Sequence, residues 1–177
     1  MPIRKSIAIV GSTEKSGREI ARRFSGAHCR LLLLSTDLGE LSQLANRLRE
    51  QKPKAEIEAV ECLKDGCWEA DIIIFTVPSS EERIAAAMMK EVATQKIVVT
   101  LSARKNDHAT LKKILPNSRL VNVWGGLRSK ELFIAGNDDR EANEEVTGIL
   151  QQAGFHITPA TFKNKKNLLN NNYSYTI

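Results

Sequence analysis

The stretch Ser6-Ile7-Ala8-Ile9-Val10-Gly11-Ser12-Thr13-Glu14-Lys15-Ser16-Gly17 decides the expected fold. A short apolar run leads into a turn with glycine at both ends, and a helix-like sequence follows. In doubly wound α/β folds, a first strand–turn–helix unit of this kind holds the pyrophosphate of a dinucleotide. Glu14 stands where the pattern G-x-x-G-x-x-G places its middle glycine. The stretch therefore predicts a dinucleotide site that contains one residue opposing it.

Strand-like and helix-like segments alternate along the rest of the chain. Further strands are predicted at 30–34, 56–60, 70–77, 96–101, 120–123 and 132–135, with an edge strand at 156–158. Helices are predicted at 16–25, 38–48, 79–93, 109–115 and 139–153. Continuous apolar runs such as 30–34 are typical of strands buried on both faces. We expect a single-domain α/β fold with a doubly wound, mostly parallel Rossmann-type sheet of six to eight strands.

Composition limits the classes of function. The chain has 177 residues, enough for one domain with its own core, and a net charge of +5. Its basic residues are scattered and not interleaved with aromatic ones, so a nucleic-acid surface is disfavoured. Cys29, Cys62 and Cys67 lack the spacing of a zinc site, and no metal site is predicted. Without a leader-like or membrane-spanning apolar run, we expect a cytoplasmic protein with no membrane association.

The two ends of the chain differ in character. Residues 1–160 are expected to form a Rossmann-type NAD(P)-binding domain. Residues 161–177 are rich in Asn and Lys and have no periodicity. They are expected to be a polar tail, either frayed or ordered by a partner.

Helix caps are predicted at three places. Asp37 with Glu40 forms a capping-box pattern before the helix at 38–48, and Ser79 with Glu82 forms another. The helix after Ser79 is expected to run through Ile84, Ala87 and Met88 to about Ala93. Asp138 is expected to cap the last helix, and Gly154 to stop it.

The stretch from Ile7 to about Pro159 resembles the nucleotide-binding domain of the deazaflavin-dependent NADP oxidoreductases, a family related to the pyrroline-5-carboxylate reductases. The matching pieces are Ile7 to Thr13, Ala70 to Pro78, Lys96 to Val99 and Ala135 to Asp139. The resemblance implies a nicotinamide cofactor, NADP or NAD, with a flavin or deazaflavin as a hydride partner. It also implies that Thr76, Val77 and Pro78 lie along the ribose and nicotinamide.

The chain departs from that family in three ways. The family turn reads roughly G-G-T-G-N-L-G, where this chain has Gly11 to Gly17 with Glu14 inside. The family places Ser-Arg-Arg after its second strand for the adenosine 2′-phosphate, where this chain has Ser35-Thr36-Asp37 and no cation. The family continues into a C-terminal helical portion, whereas this sequence has only its Asn-rich tail. All three departures favour a non-enzymatic Rossmann protein, and the missing cation also lowers the expectation of NADP.

The Glu14 carboxylate leaves three interpretations open. With a phosphate about 5 Å away and an effective dielectric constant near 20, the repulsion between the Glu14 carboxylate and the phosphate is roughly 3 kcal/mol. That is more than the roughly 2 kcal/mol by which a helix N-terminus stabilises an anion. Lys15 and Arg18 could draw the carboxylate outward by an ion pair, which would allow a dinucleotide to bind. The site could also take another or a weaker ligand. Alternatively, Glu14 occupies the helix N-terminus as an internal anion and nothing binds.

Asp37 also has two interpretations. An acid about 20 residues after the glycines can accept the ribose 2′-hydroxyl and so select NAD. The same residue can simply cap the following helix. The full set of predicted cofactor-binding residues is Gly11, Ser12, Thr13, Glu14, Lys15, Ser16, Gly17, Ser35, Thr36, Asp37, Thr76, Val77 and Pro78.

Three loops after later strands complete the candidate site, because ligands of open α/β sheets bind at the carboxyl ends of the strands. They are Val77-Pro78-Ser79-Ser80, Ser102-Ala103-Arg104 and Trp124-Gly125-Gly126. Trp124 could line a substrate or flavin face, or pack in the core beside a tight turn. None of His28, His108 and His156 stands beside an obvious nucleophile, so no catalytic residue is predicted.

The sequence thus predicts an NAD(P)-dependent oxidoreductase that passes hydride to a flavin-like or small carbonyl or imine acceptor. Hydride transfer depends on positioning more than on a side-chain acid or base. The alternative is a non-enzymatic Rossmann protein that senses a ligand or binds a partner. A methyltransferase using S-adenosylmethionine is a third, distant interpretation. The expected partners are a dinucleotide and a small-molecule substrate, and a homodimer is left open.

Overall fold

The computed structural model describes residues 4–102, 109–135 and 139–160. The strands are β1 Lys5–Val10, β2 Cys29–Leu34, β3 Glu56–Ala59, β4 Ile72–Phe75, β5 Ile97–Ser102, β6 Arg119–Gly126, β7 Glu131–Ala135 and β8 His156–Ala160. The helices are α1 Lys15–Phe24, α2 Leu38–Gln51, α3 Leu63–Glu69, α4 Ser79–Met89, α5 Ala109–Ile114 and α6 Arg140–Gln152. The expected tail at 161–177 lies outside the described residues.

All eight strands form one sheet in the order β3-β2-β1-β4-β5-β6-β7-β8. The six strands from β3 to β6 are parallel, β7 runs antiparallel to β6, and β8 is parallel to β7. The chain winds outward from β1 to β3 and then returns to place β4 on the other side of β1. This is the doubly wound α/β topology that the alternating elements predict.

Two hydrophobic cores lie on opposite faces of the sheet. Helices α1, α2 and α6 cover one face, and α3, α4 and α5 cover the other. In β2, Leu31 and Leu33 belong to the first core, while Leu32 and Leu34 belong to the second. The prediction that this run is buried on both faces is therefore confirmed. Burial on both faces explains why the run is uniformly apolar.

The stretch Trp124-Gly125-Gly126 is not a loop. It forms the end of β6 and pairs with β7, with Gly125 opposite Leu132. Trp124 is 8% exposed, and its ring stacks on Phe133 at a centroid distance of 6.0 Å. The prediction that these residues form a loop at the site is wrong. Of the two interpretations of Trp124, packing in the core is the one that the structure supports.

Other predictions also need correction. Helix α4 begins at Ser79 with Pro78 at its N-cap and no side-chain cap, and it ends at Met89. Ile84 and Met88 are exposed, because Ala86 and Met89 form the buried face of that helix. Helix α3 was not predicted at all, since its seven residues are too few to show a helical period.

The N-cap of α6 is Asp139, one residue after the predicted Asp138, which lies outside the described residues. Asp139 Oδ1 accepts from the Ala142 amide at 2.9 Å. Both oxygens of Asp139 also accept from the Arg119 guanidinium of β6, at 2.6 and 2.8 Å. These bonds tie α6 to the sheet edge at which β6 begins.

The pair between Asp139 and Arg119 predicts an acid-sensitive contribution to stability. The Arg119 hydrogen bonds, with that of the Ala142 amide, hold the pKa of Asp139 at about 2, below its ordinary 3.8. Because the pKa of Asp139 is lower in the folded than in the unfolded protein, its ionised carboxylate stabilises the fold at pH values above the unfolded pKa. This contribution is lost as the pH falls from about 4 to about 2. We expect Asp139→Asn to lower the free energy of unfolding at pH 7 by about 1 kcal/mol, since the pair is partly exposed.

Urea unfolding of wild type and Asp139→Asn between pH 7 and about pH 2 measures this contribution. The stability difference between the two proteins is expected to shrink as the pH falls below 4. A difference that stays constant down to about pH 2 would contradict the assignment.

Two of the cysteines are core residues. Cys29, predicted to be buried, is 6% exposed, and Cys67 is 0% exposed. Burial raises the pKa of the Cys29 thiol to about 11 and that of Cys67 to about 12. Both thiols therefore stay protonated and unreactive at neutral pH. Within the described ranges, no helix has the length and apolarity needed to cross a bilayer.

Candidate dinucleotide site

The candidate site lies at the carboxyl ends of three neighbouring strands. Gly11 follows β1, Ser35 follows β2 and Thr76 follows β4, and β1 lies between the other two strands. The chain direction across the sheet reverses at this point, since β2 and β4 leave β1 on opposite sides. Ligands of open α/β sheets bind in the crevice at such a switch point.

Gly11 and Gly17 are required by the backbone itself. Gly11 has φ +85, and a Cβ there would lie 2.5 Å from Val77 Cγ1. A Cβ at Gly17 would lie 2.0 Å from the Gly11 carbonyl oxygen, because α1 packs directly on the turn. The two glycines therefore make the tight turn and the close helix packing of a dinucleotide fold.

The hydroxyl groups of the turn hold the turn together. Ser12 is fully buried and donates to the Leu34 carbonyl at 3.1 Å. Thr76 Oγ1 lies 2.8 Å from the Val10 oxygen and 3.0 Å from the Gly11 oxygen, so it donates to the strand end. Ser16 Oγ donates to the Thr76 carbonyl at 3.1 Å. These side chains position the backbone of the site, and Ser12 has no surface to offer a ligand.

Glu14 is the N-cap residue of α1, with φ −64 and ψ 158, angles that any residue adopts. Its side chain is exposed and accepts no hydrogen bond from the helix amides. Glu14 therefore does not cap α1 through its side chain. It also does not form the Arg18 ion pair that the sequence suggested, because Arg18 pairs with Glu40.

The N-terminus of α1 has no side-chain cap. First-turn amides lack partners inside their own helix, and the helix dipole favours negative charge there. With the Glu14 side chain exposed, these amides are the groups that would hold a pyrophosphate.

The loop after β2 is tied to the turn after β1. Asp37 caps α2 by accepting from the Glu40 amide at 2.9 Å, so the capping interpretation is confirmed. The reciprocal half of the predicted capping box is not formed, because the Glu40 carboxylate pairs with Arg18. Ser35 Oγ lies 2.5 Å from Thr13 Oγ1, and it accepts from the Asp37 amide at 3.1 Å.

Arg18 pairs with a residue other than the one that the sequence suggested. It follows Gly17 on α1, and its Nε donates to the Thr13 carbonyl at 2.6 Å. Its guanidinium then crosses to Glu40 on α2. A cation is thus present near the end of β2, although the sequence has none immediately after that strand.

The third side of the site follows β4. Val77 is partly buried and Pro78 is exposed at the start of α4. Glu82, one turn into α4, is only 6% exposed, and burial raises the pKa of its carboxyl. Ala103 and Arg104 of the next predicted loop lie outside the described residues.

The remaining chemistry-bearing residues do not converge on this edge. His156 is exposed on β8, the edge strand farthest from the turn. Among residues 4–102, 109–135 and 139–160, no three His, Cys, Asp or Glu side chains are placed to hold a metal ion. The candidate site as described consists of backbone amides, hydroxyls and charged side chains.

Comparison with solved structures shows the fold of this chain. No protein-family model matches the chain, and no curated protein matches it significantly. Several solved structures share the fold. Pyrroline carboxylate reductase from Plasmodium falciparum, solved with NADP bound, is 13% identical with a TM-score of 0.66 over 91% of this chain. Prephenate dehydrogenase from A. aeolicus, solved with NAD+, is 12% identical with a TM-score of 0.70 over 96%.

The chain shares its Rossmann-type fold with these two enzymes. It spans 59% of the P. falciparum reductase and 64% of the A. aeolicus dehydrogenase. A protein from Arthrobacter sp. FB24, provisionally named an F420-dependent NADP reductase, is 15% identical with a TM-score of 0.65. The match covers 93% of this chain and 88% of the Arthrobacter protein. The predicted Rossmann-type fold is therefore confirmed.

Proposed function

We propose that this protein binds a nicotinamide dinucleotide across the turn from Gly11 to Gly17 and acts as an NAD(P)-dependent oxidoreductase. One observation carries the proposal: the N-terminus of α1, which has no side-chain cap, lies at the switch point of a doubly wound sheet. Solved structures with this fold hold NADP or NAD+. Gly11 and Gly17 supply the backbone path that such a site needs.

The exposed position of Glu14 reduces its opposition to a bound phosphate. If the Glu14 carboxylate were buried about 5 Å from the phosphate, their repulsion would be roughly 3 kcal/mol. In water, at a distance of about 8 Å, the repulsion falls to about 0.5 kcal/mol. A helix N-terminus stabilises an anion by up to about 2 kcal/mol, and the turn amides add hydrogen bonds. The balance therefore favours binding, with Glu14 as a modest penalty.

The chemistry proposed is hydride transfer to a flavin-like or small carbonyl or imine acceptor. The bound nicotinamide supplies or accepts the hydride, and the protein supplies position and exclusion of water. Thr76, Val77 and Pro78 would line the ribose and nicotinamide, because they follow β4 beside the turn. The fold shared with a provisionally named F420-dependent reductase supports a deazaflavin as one acceptor to test.

Titration of the protein with NADH and with NADPH tests the proposal directly. We expect at least one of them to raise the melting temperature and to bind with a measurable dissociation constant. No shift from either cofactor at millimolar concentration would overturn the proposal. Binding without turnover of any deazaflavin, carbonyl or imine acceptor would favour the second candidate, a ligand-sensing protein. That candidate draws support from Glu14, which departs from the glycine pattern of a dinucleotide turn.

Replacing Glu14 with glycine is expected to tighten dinucleotide binding about fivefold, because about 1 kcal/mol of repulsion and bulk is removed. The fold should tolerate the change, since glycine at an N-cap costs only a few tenths of a kcal/mol. Isothermal titration with NADH measures the effect.

Two further variants separate the causes. Glu14→Gln removes the charge and keeps the bulk, so it isolates the electrostatic part. Glu144→Gln on α6 makes the same change of net charge far from the turn and should leave binding unchanged. Equal affinity in wild type and Glu14→Gly would show that Glu14 does not face the ligand.

A further inference from the structure

Arg18 and Glu40 join the two turns that meet beside the candidate site. Arg18 Nε donates to the Thr13 carbonyl at 2.6 Å, which places the guanidinium over the turn after β1. Its other end forms an ion pair with Glu40 in the first turn of α2. The side chains of Arg18 and Glu40 are 44% and 49% exposed, so both face solvent at the mouth of the crevice.

A chain of short hydrogen bonds locates this pair relative to the end of β2. The Glu40 amide donates to Asp37 at 2.9 Å, the Asp37 amide donates to Ser35 at 3.1 Å, and Ser35 contacts Thr13 at 2.5 Å. The five residues form a closed ring between the two turns. In a dinucleotide site, the residues after the second strand meet the adenosine 2′-position.

The charges in this ring favour a hydroxyl over a phosphate at that position. Arginine recognises phosphate by paired, charge-assisted hydrogen bonds. Arg18, however, already forms an ion pair with Glu40. A 2′-phosphate, carrying nearly two negative charges, would meet the Asp37 and Glu40 carboxylates. A ribose 2′-hydroxyl is neutral and can donate to either of them.

We propose that Glu40 sets the cofactor preference of this protein for NAD(H) over NADP(H) by holding Arg18, which would otherwise bind a 2′-phosphate. The inference rests on the proposed function and names the cofactor of that site. Asp37 contributes a carboxylate to the same edge, yet one of its oxygens is committed to capping α2. Glu40 is the specificity-determining residue because its removal changes two charges at once, by deleting a carboxylate and releasing a guanidinium.

Releasing Arg18 should not disturb the fold. An exposed ion pair contributes little to stability, and glutamine is accepted at the third position of a helix. Asp37 keeps its bond to the backbone amide of residue 40 whatever side chain is there. Effects on cofactor choice can therefore be separated from effects on folding.

The test measures dissociation constants of NADH and NADPH for wild type, Glu40→Gln, the double variant Arg18→Ala/Glu40→Gln and the control Glu144→Gln. Wild type is expected to bind NADH at least about tenfold more tightly than NADPH. In Glu40→Gln, the affinity for NADPH should rise about tenfold, while the affinity for NADH changes little. A gain of about tenfold is what one or two hydrogen bonds from Arg18 to a charged phosphate would give. The double variant should lose this gain, and Glu144→Gln should keep the wild-type ratio.

A purely structural role for the Arg18–Glu40 pair would move both dissociation constants together and leave their ratio unchanged. That outcome, or tighter binding of NADPH by the wild type, overturns this inference while the proposed function stands. Failure of both cofactors to bind any of the four proteins overturns the proposed function and this inference with it. A gain in NADPH binding that persists in the double variant shows that Arg18 is not the phosphate ligand and also overturns the inference.

Discussion

Gly17→Ala is expected to lower the free energy of unfolding by about 3 kcal/mol or more. The added Cβ would lie 2.0 Å from the Gly11 carbonyl oxygen and 2.8 Å from Ser12 Cα. Both are main-chain atoms, so no side chain can rotate away, and α1 must move off the turn. Because that movement opens the packing beneath the candidate site, dinucleotide binding should fall with stability.

Gly148 provides the matched control for this substitution. It also lies within a helix, α6, and a Cβ there would meet nothing within 4 Å. Gly148→Ala is expected to stabilise the protein by up to about 1 kcal/mol, since alanine is the better helix former. Urea unfolding of the two variants should therefore give opposite signs. Stabilisation by Gly17→Ala would show that α1 does not pack on the turn as described.

Gly125→Ala is the second substitution with a large expected effect, again about 3 kcal/mol of lost stability. Gly125 has φ +142, in a region that only glycine enters readily, and a Cβ there would lie 2.3 Å from the Glu131 carbonyl oxygen. The substitution would force β6 away from β7. Unlike Gly17, Gly125 lies on a strand that is three places along the sheet from β1, so the surviving folded protein should keep its cofactor affinity.

Gly26→Ala is the control for Gly125→Ala. Gly26 lies between α1 and β2, and a Cβ there would be 3.7 Å from the Arg23 carbonyl, an ordinary contact. We expect its stability to stay within about 0.5 kcal/mol of the wild type. If Gly125→Ala were as stable as Gly26→Ala, the pairing of β6 with β7 through Trp124-Gly125-Gly126 would be wrong.

The elements that sequence analysis predicted well are those with strong local patterns. The Leu run of β2 and the Leu spacing of α2 each show the period of their element, and the structure buries those leucines except Leu38. Asp37 was expected to cap α2 and does so, because capping depends on residues three apart in sequence.

The elements that were missed depend on contacts distant in sequence. Glycines at 125 and 126 suggested a loop, but the approach of β7 makes them part of a strand. Ile84 and Met88 carry apolar side chains on the exposed face of α4, so the buried face could not be chosen from hydrophobicity alone. Helix α3 is short, and its buried Gly66 and Cys67 are weak indicators of a helix.

In the candidate site too, the features predicted correctly are local in sequence, and those missed depend on distant contacts. Gly11 and Gly17 were recognised because their spacing follows from one local turn. The direction of Glu14 and the partner of Arg18 were not predictable, because Arg18 had two acids within reach and the nearer one in sequence is not its partner. Glu40 lies 22 residues away along the chain and becomes a neighbour only when β2 pairs beside β1.

By itself, the sequence determined the doubly wound fold and the position of its first turn, since hydrophobic period and glycine spacing are local properties of the chain. The tertiary structure decided that the side chain of Glu14 does not cap α1 and that Arg18 is held by Glu40. Charged side chains on a surface choose among partners by distance in space, and that distance is set only once the strands of the sheet are in place.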